Sequence, residues 1–330
     1  MKLEITRLEG QRNDLLLRIE RSEIDTALLS VANRRALMAL PGMPRHRTAT
    51  AAEEQQIAQS KIPIEEHLRR LEVTDESGKA CRRAIAISNR NLGTNQGHVA
   101  WHRAETPRAL RILDDPCAYP SHSCLVVRRD GQLTIADLRF DFGADRVYRA
   151  GDGADVSETI EWATFGQRVL REGRVMGIDA LAGQFYDVRH LLAFDNRQEA
   201  GASVRQQIYE GYPETFEVNV RRAWKVSGVP RSRYVHNAVG LSADALFVIQ
   251  REGTIEEIGA ALATAGAEDG VILDNGGSVV CWVWWANLYA GGIISPTVDY
   301  RPPGTSAIAF VLKGPLNVGL PGGSVSYSTC

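Results

Sequence analysis

Residues 240–278 read GLSADALFVIQREGTIEEIGAALATAGAEDGVILDNGGS, and the changes of texture within them decide the fold. Residues 245 to 250 are an apolar run of strand length, 251 to 253 a turn, 254 to about 265 a helix, and 270 to 273 a second buried strand. A helix between two short strands predicts a β-α-β unit, because a crossover of that length lets the second strand run parallel to the first. The second strand then delivers Asp274 to its carboxyl end, where α/β folds commonly place ligand groups on loops anchored by a rigid strand. Gly276 and Gly277 remove side-chain bulk and permit positive φ, so backbone N–H groups can approach an anion or a sugar ring, and Ser278 adds a hydroxyl donor. On these residues alone a tight turn in which Asp274 merely caps backbone amides is an equal alternative.

Downstream, VVCWVWW (279–285) reads as the first strand of a hairpin that turns at Gly291-Gly292. On a strand Trp282 and Trp284 share one face and Trp285 takes the other, so at least one belongs to the core, and sugar stacking is the lesser reading. Upstream, short β-rich runs begin at residue 81, including SCLVVRRDGQLTIADLRF (123–140) with its Asp130-Gly131 hairpin signal. DVSETIEWATFGQRVLREG (155–173) has a Ser/Thr and acidic start and a Gly stop, which predict a helix. Nearer the N-terminus, residues 2–25 divide around GQRND into a hairpin, with one continuous amphipathic helix as the rival. Residues 25–40 have helical spacing that PGMPRHRTAT interrupts, and 50–73 are helix-rich and polar, the pattern of a covering element with a solvated face.

The chain of 330 residues carries 38 basic and 40 acidic side chains, a net charge of -2. That balance gives no global footprint for nucleic acid or for an anionic membrane. No N-terminal stretch has the pattern of a signal peptide, and no apolar run reaches membrane-spanning length, so the expectation is a cytoplasmic protein. Five scattered cysteines predict reduced thiols rather than a disulfide framework.

Three weaker signals have bland explanations. Cys117, His122 and Cys124 lack the fourth ligand and paired spacing of a zinc site. Asp152 and Asp155 in GDGAD lack the carboxylate ladder of a calcium loop and read as a turn. His98 and His102 would share a helix face, but Gly97 and the β-rich context argue against a helix there. No organic cofactor motif is present, and a divalent metal is left open.

VHNAVGLSADALFVIQREG (235–253), the helix after it, GAEDGVILDNGGSVVCWVWWANLYAGGIISP (266–296) and RPPGTSAIAFVL (301–312) together resemble, in order and spacing, the C-terminal half of the phosphodiester glycosidase family. The resemblance covers about residues 230 to 313 and extends more weakly to AIAISNRN (84–91) and CLVVRRDGQL (124–133). It implies an α+β fold of mixed β-sheets flanked by helices, with residues 76–330 as the domain and 1–75 as an extension of hairpin and helices, accessory or homo-oligomerising. Leu273, Asp274, Gly276, Gly277 and Ser278 match the family's Leu-Asp-Gly-Gly-Gly-Ser motif with Asn275 in place of its first Gly, and Arg301-Pro302 match its Arg-Pro segment. His236 and Asn237 stand where the family has Arg and Thr, so Arg233 or Arg231 is the candidate substitute guanidinium. The implied activity is hydrolysis of a sugar-1-phosphodiester or related phosphorylated glycoconjugate. In that reading Asp274 is the key carboxylate, His236 a proton donor or phosphate ligand, and Arg233 and Arg301 bind the phosphate. The alternative is a catalytically altered relative that binds carbohydrate or phosphate, or serves as a structural module.

Overall fold

The computed structural model describes residues 4–7, 15–38, 51–89, 98–112, 121–177, 233–276, 279–284, 293–294 and 303–316, with scattered positions between 180 and 223. The chain opens with strands β1 (Glu4–Arg7), β2 (Leu15–Glu20) and β3 (Ile24–Val31), followed by helices α1 (Arg34–Met38), α2 (Ala51–Ser60) and α3 (Ile64–Arg70). Then come β4 (Ala84–Ser88), β5 (His98–His102), β6 (Ala109–Ile112), β7 (His122–Arg128), β8 (Leu133–Asp141) and β9 (Arg146–Arg149). Next are β10 (Ile160–Phe165), β11 (Gln167–Arg171) and β12 (Arg174–Val175). The last third supplies β13 (Tyr234–Leu241), β14 (Ala245–Gly253), helix α4 (Ile255–Thr264), β15 (Asp269–Asn275), β16 (Cys281–Val283), β17 (Ile293–Ile294) and β18 (Ser306–Leu312). The fold is α+β, as expected.

The strands form three sheets: seven in the order β1-β2-β14-β13-β15-β11-β12, six in the order β6-β5-β10-β7-β8-β9, and five in the order β17-β16-β4-β18-β3. β13 pairs antiparallel with both β14 and β15, so those two run parallel with β13 between them. The strand-helix-strand unit read from residues 245–273 is therefore present in split form. Its helix opens with a capping box: Thr254 Oγ1 accepts from Glu257 N at 3.2 Å, and Glu257 Oε2 accepts from Thr254 N at 3.0 Å. Ile255, Ile258 and Leu262 of α4 pack on one face of the seven-stranded sheet with Ala238, Phe247, Ile249 and Ile272. At Gly259 an added Cβ would lie 2.5 Å from Val169 O, so only glycine lets the helix sit this close to β11.

The opposite face of that sheet contributes Leu17, Val239, Val248, Val271 and Leu273 to a larger core. It is shared with Ile85, Ile87 and Phe310 of the five-stranded sheet and Leu125 and Trp162 of the six-stranded one. Trp162 also stitches two sheets together, donating from Nε1 to Ala27 O at 2.8 Å. Trp282 and Trp284 are both buried, and Arg83 lies 5.2 Å over the Trp284 ring, so these aromatics serve the core; Trp285 is outside the described residues.

Several expectations hold. Within residues 2–25, β1 and β2 pair antiparallel as the expected hairpin requires, and β7 and β8 form the hairpin that turns at Asp130-Gly131. Within 50–73, residues 51–60 and 64–70 are helical, and His98 and His102 lie on a strand. β16 pairs antiparallel with β17, although Gly291 and Gly292 lie outside the described residues.

Two expected helices are strands. Residues 24–31 form β3, which pairs with β18 from Ser306 to Leu312. Ladder pairing across the core outweighs their helical spacing, and the helix begins only at Arg34, after Asn33 adopts φ 43°. Residues 160–171 form β10 and β11, each joining a different sheet, with Gly166 between them. The Asp155 and Ser157 pair taken for a helix start closes a turn, Asp155 Oδ1 accepting from Ser157 N at 2.9 Å. Nor does the boundary expected at residue 75 divide the sheets: β2 pairs with β14, and β3 with β18. Leu15, Leu17 and Ile19 of β2 and Ala27 and Leu29 of β3 are buried in the shared core.

Candidate functional site

Asp274 occupies the carboxyl end of β15, directly opposite Asn237 of β13. The register slips there: Asn237 faces Asp274, but Ala238 faces Ile272, leaving Leu273 as an extra residue on β15. Such a bulge bends a strand and re-aims its side chains. Leu273 remains in the large core, and Asp274, 1% exposed, shares the inner sheet face with Asn237 because cross-strand partners share a face. Asp274 Oδ1 accepts from the Asn275 N–H at 2.9 Å.

Asn237 is fully buried and forms the hub beside this carboxylate. Its Nδ2 donates to Ser88 Oγ at 3.0 Å, Val280 O at 3.0 Å and Ser88 O at 3.2 Å, while its Oδ1 accepts from Gln250 Nε2 at 3.1 Å. Ser88 Oγ in turn accepts from Val280 N at 2.9 Å. Next along the chain, buried Asn89 donates from Nδ2 to Thr164 Oγ1 at 3.0 Å and to Ser306 Oγ at 3.2 Å. Its Oδ1 accepts no hydrogen bond among the described residues, an acceptor left for a water or ligand. All three sheets thus send polar side chains to one end of the common core, where apolar packing would otherwise continue.

One cation approaches from the N-terminal segment. Lys61, half-buried between α2 and α3, is held in place by the neighbouring Ile62, which exchanges backbone hydrogen bonds with Gly304 at 2.9 and 2.8 Å. Burial lowers the Lys61 pKa, and the Asp274 carboxylate opposes that shift. A buried carboxylate electrostatically coupled to a half-buried ammonium can stabilise charge that develops on a bound molecule.

The remaining sequence candidates fall in different places. His236 pairs in register with Asn275 and Arg251, so side-chain alternation sets it on the α4 face, away from Asp274. There it is buried, with Nε2 at 3.1 Å from Gly253 O and its ring edge-on to Tyr234. The Arg233 guanidinium grips both carboxylate oxygens of Glu257 on α4 at 2.7 Å, and Glu257 sits below the usual carboxylate range, chiefly because Thr254 N–H donates to it. Asn275 ends β15 beside the bulge, and it is Gly276 that takes the left-handed conformation, at φ 85°. The asparagine therefore does not carry the turn's backbone demand. Gly277, Ser278, Arg301 and Arg231 lie outside the described residues. His122 and Cys124 are buried on β7, His122 edge-on to Phe140 and Phe165, and Cys117 lies outside the described residues.

Lys61, Gln250, Thr164 and Ser306 were not singled out from the sequence. Gln250 had a legible signal, a polar residue at the end of the apolar run 245–249 and in alternation with Leu246 and Val248. Lys61 had none, since its neighbour Asp274 is remote in the chain.

Neither a protein-family model nor a curated protein matches the chain. Solved structures with a similar arrangement include the catalytic domain of zebrafish N-acetylglucosamine-1-phosphodiester alpha-N-acetylglucosaminidase, auto-inhibited by its pro-peptide. It is 11% identical with a TM-score of 0.43, over 95% of this chain and 83% of that one. A hypothetical protein from Synechocystis is 12% identical with a TM-score of 0.37, over 94% of this chain and 61% of that one. A protein from Burkholderia pseudomallei is 11% identical with a TM-score of 0.44, over 91% of this chain and 74% of that one.

Proposed function

We propose that the protein is a hydrolase cleaving a sugar-1-phosphodiester or a related phosphorylated glycoconjugate at the edge of β15, with Asp274 as its key carboxylate. The observation that carries this reading is the buried Asp274 at a bulged strand end, opposite Asn237 and within reach of the Lys61 charge. In such a hydrolysis, water adds to the anomeric carbon, the bond from that carbon to the phosphate oxygen breaks, and a phosphate monoester leaves. Positive charge develops on the sugar ring and is stabilised by a carboxylate; negative charge on the departing phosphate is stabilised by a cation. Asp274 takes the first role and Lys61 the second, with Arg301 a further phosphate ligand. His236 and Arg233, on the α4 side, act in this scheme only through the packing of β13 and α4.

A binding or structural module is the second reading, favoured by Asn237, whose amide is fully engaged in hydrogen bonds within the fold. Purified protein incubated with a panel of sugar-1-phosphodiesters and nucleotide sugars separates the two. Release of free sugar and a phosphate monoester from at least one member supports the hydrolase; saturable binding without release from any of them supports the module.

A further inference from the structure

The chain passes from the six-stranded sheet to the seven-stranded one at a single residue, Gly166. Phe165 before it still pairs with Cys124 of β7, and Gln167 after it already pairs with Ile272 of β15. Its own N–H donates to Ser123 O of β7 at 2.9 Å, so the crossing point is anchored to β7 and cannot retreat from β15.

A side chain at this position has no room. A Cβ on Gly166 would stand 3.0 Å from Ile272 O, 3.0 Å from Val271 Cβ and 3.1 Å from Leu273 Cδ2, whereas non-bonded carbon atoms settle about 3.5–4.0 Å apart. The φ of Gly166 lies outside the left-handed region, so it is the close approach to β15 that calls for glycine. Ile272 and Leu273 make the bulge that ends at Asp274, and Val271 and Leu273 face the large core. Gly166 therefore lies against the inner face of β15, the face that Asp274 joins. Thr164, on β10 just before the crossing, accepts from Asn89 Nδ2 at 3.0 Å in the same polar cluster.

We propose that Gly166 is a positioning residue for Asp274: its missing side chain leaves the space in which the β15 bulge forms, and so sets where the carboxylate points. The inference rests on the reading that Asp274 acts on the substrate. With Gly166 anchored to β7, and Val271 held in a regular pair with Val239 of β13, an added methyl group pushes on the segment where the ladder is already irregular. That segment is the bulge, and its shift carries Asp274 along. Displacing a group that stabilises transition-state charge lowers turnover while leaving the groups that hold the bound substrate in place.

The test compares Gly166→Ala with Gly270→Ala in the full chain. Gly270 lies at the other end of β15, where a Cβ would meet Leu262 Cδ1 at 2.6 Å and Leu170 Cβ at 3.2 Å, so it crowds the same strand without reaching the bulge, and the Leu262 side-chain end can swing aside. Three quantities are read: urea unfolding, the amide proton–nitrogen resonance of Asn275, whose N–H donates to Asp274 Oδ1, and kcat and KM for a sugar-1-phosphodiester that the parent hydrolyses. Both variants should unfold cooperatively, and only Gly166→Ala should move the Asn275 resonance. Its kcat should fall by about tenfold or more, with KM within about twofold of the parent's, while Gly270→Ala keeps the parent's kcat. An Asn275 resonance unmoved by Gly166→Ala, or moved as far by Gly270→Ala, overturns the assignment, as does an unchanged kcat in Gly166→Ala. Loss of cooperative unfolding in Gly166→Ala also overturns it, because the crowding would then fall on the core as a whole. If the parent releases sugar from no phosphodiester, the proposed hydrolysis fails, and the Asn275 resonance still decides whether Gly166 sets the place of Asp274.

Discussion

Asn237 and Asp274 face each other across β13 and β15 at the position where the ladder slips by one residue. A regular ladder would alternate Leu273 and Asp274 to opposite faces; the bulge lets leucine stay in the core while the carboxylate joins the polar cluster. The same slip sets His236 apart from it, one residue earlier on β13 and on the other face.

Replacing Asp274 with Asn keeps shape and volume while removing the charge. On the proposed reaction, turnover should fall by roughly 10²-fold or more, the usual loss when a group that stabilises transition-state charge is removed. The melting temperature should change little, because the amide still accepts from the Asn275 N–H through its oxygen. Sugar release and thermal unfolding measured side by side check this, and an unaffected rate removes Asp274 from the chemistry.

Asn237→Leu should instead strike stability. It leaves Ser88 O, Val280 O and the Gln250 amide with a lost partner in a dry environment. A buried network broken in this way costs about 2–4 kcal/mol. Urea titration followed by tryptophan fluorescence reads the shift in midpoint; a variant as stable as the parent would show that these bonds contribute nothing net.

His236→Gln retains a donor near the Nε2 position, able to reach Gly253 O. Because the side chain stands on the α4 face, turnover under the proposed reaction should stay within about threefold, with a stability loss of about 1 kcal/mol. A loss as deep as that of Asp274→Asn, at full folding, would restore His236 to a direct role in the reaction.

The strand β15 was legible because its apolar run stops at Asp274, with Asn275 and two glycines after it, and that pattern survives whatever packs against it. The face assignment was not legible. Regular alternation on β13 sets Asn237 inward and His236 outward, but which of them Asp274 joins depends on the bulge in β15, which no residue pattern in 270–275 announces. The helix expected at 155–173 failed because β10 and β11 are buried on both faces and so lose the alternation that marks a strand, whereas at 25–40 the partly exposed β3 is fixed by its pairing with β18, which its own residues do not announce. The electrostatic coupling of Lys61 to Asp274 is a product of chain topology alone.

The N-terminal residues test that topology directly. Deleting 1–75 removes β2 from the edge of β14 and β3 from the edge of β18, along with Leu15, Leu17, Ile19 and Leu29 from the core. At about 1.5–3 kcal/mol for each buried large aliphatic side chain, the loss is of the order of the whole stability of a typical protein. The fragment 76–330 should therefore lack a cooperative urea transition and bind hydrophobic dyes; a cooperative unfolding curve for that fragment would mean that the extension is dispensable.

His67 should give stability a specific pH dependence. The ring is buried, with Nε2 at 3.1 Å from Gly304 O and Nδ1 at 2.8 Å from Ser30 Oγ. A carbonyl only accepts, so Nε2 carries the proton and Nδ1 accepts from the serine hydroxyl: the neutral ring satisfies both partners. Burial, aided by the Arg70 charge and opposed by the Gly304 carbonyl and Glu66, lowers the pKa from 6.5 to about 4. Between those values the unfolded chain binds the proton and the folded chain does not, so this contribution is complete above pH 6.5 and is lost as pH falls toward 4. At about 1.4 kcal/mol for each pH unit, the loss across the window approaches about 3 kcal/mol. His67→Gln removes the titration while its amide can still donate to Gly304 O. Unfolding free energies at pH 7 and pH 4.5 should therefore differ less in the variant than in the parent, and equal pH slopes for the two would show that the ring titrates alike in both states.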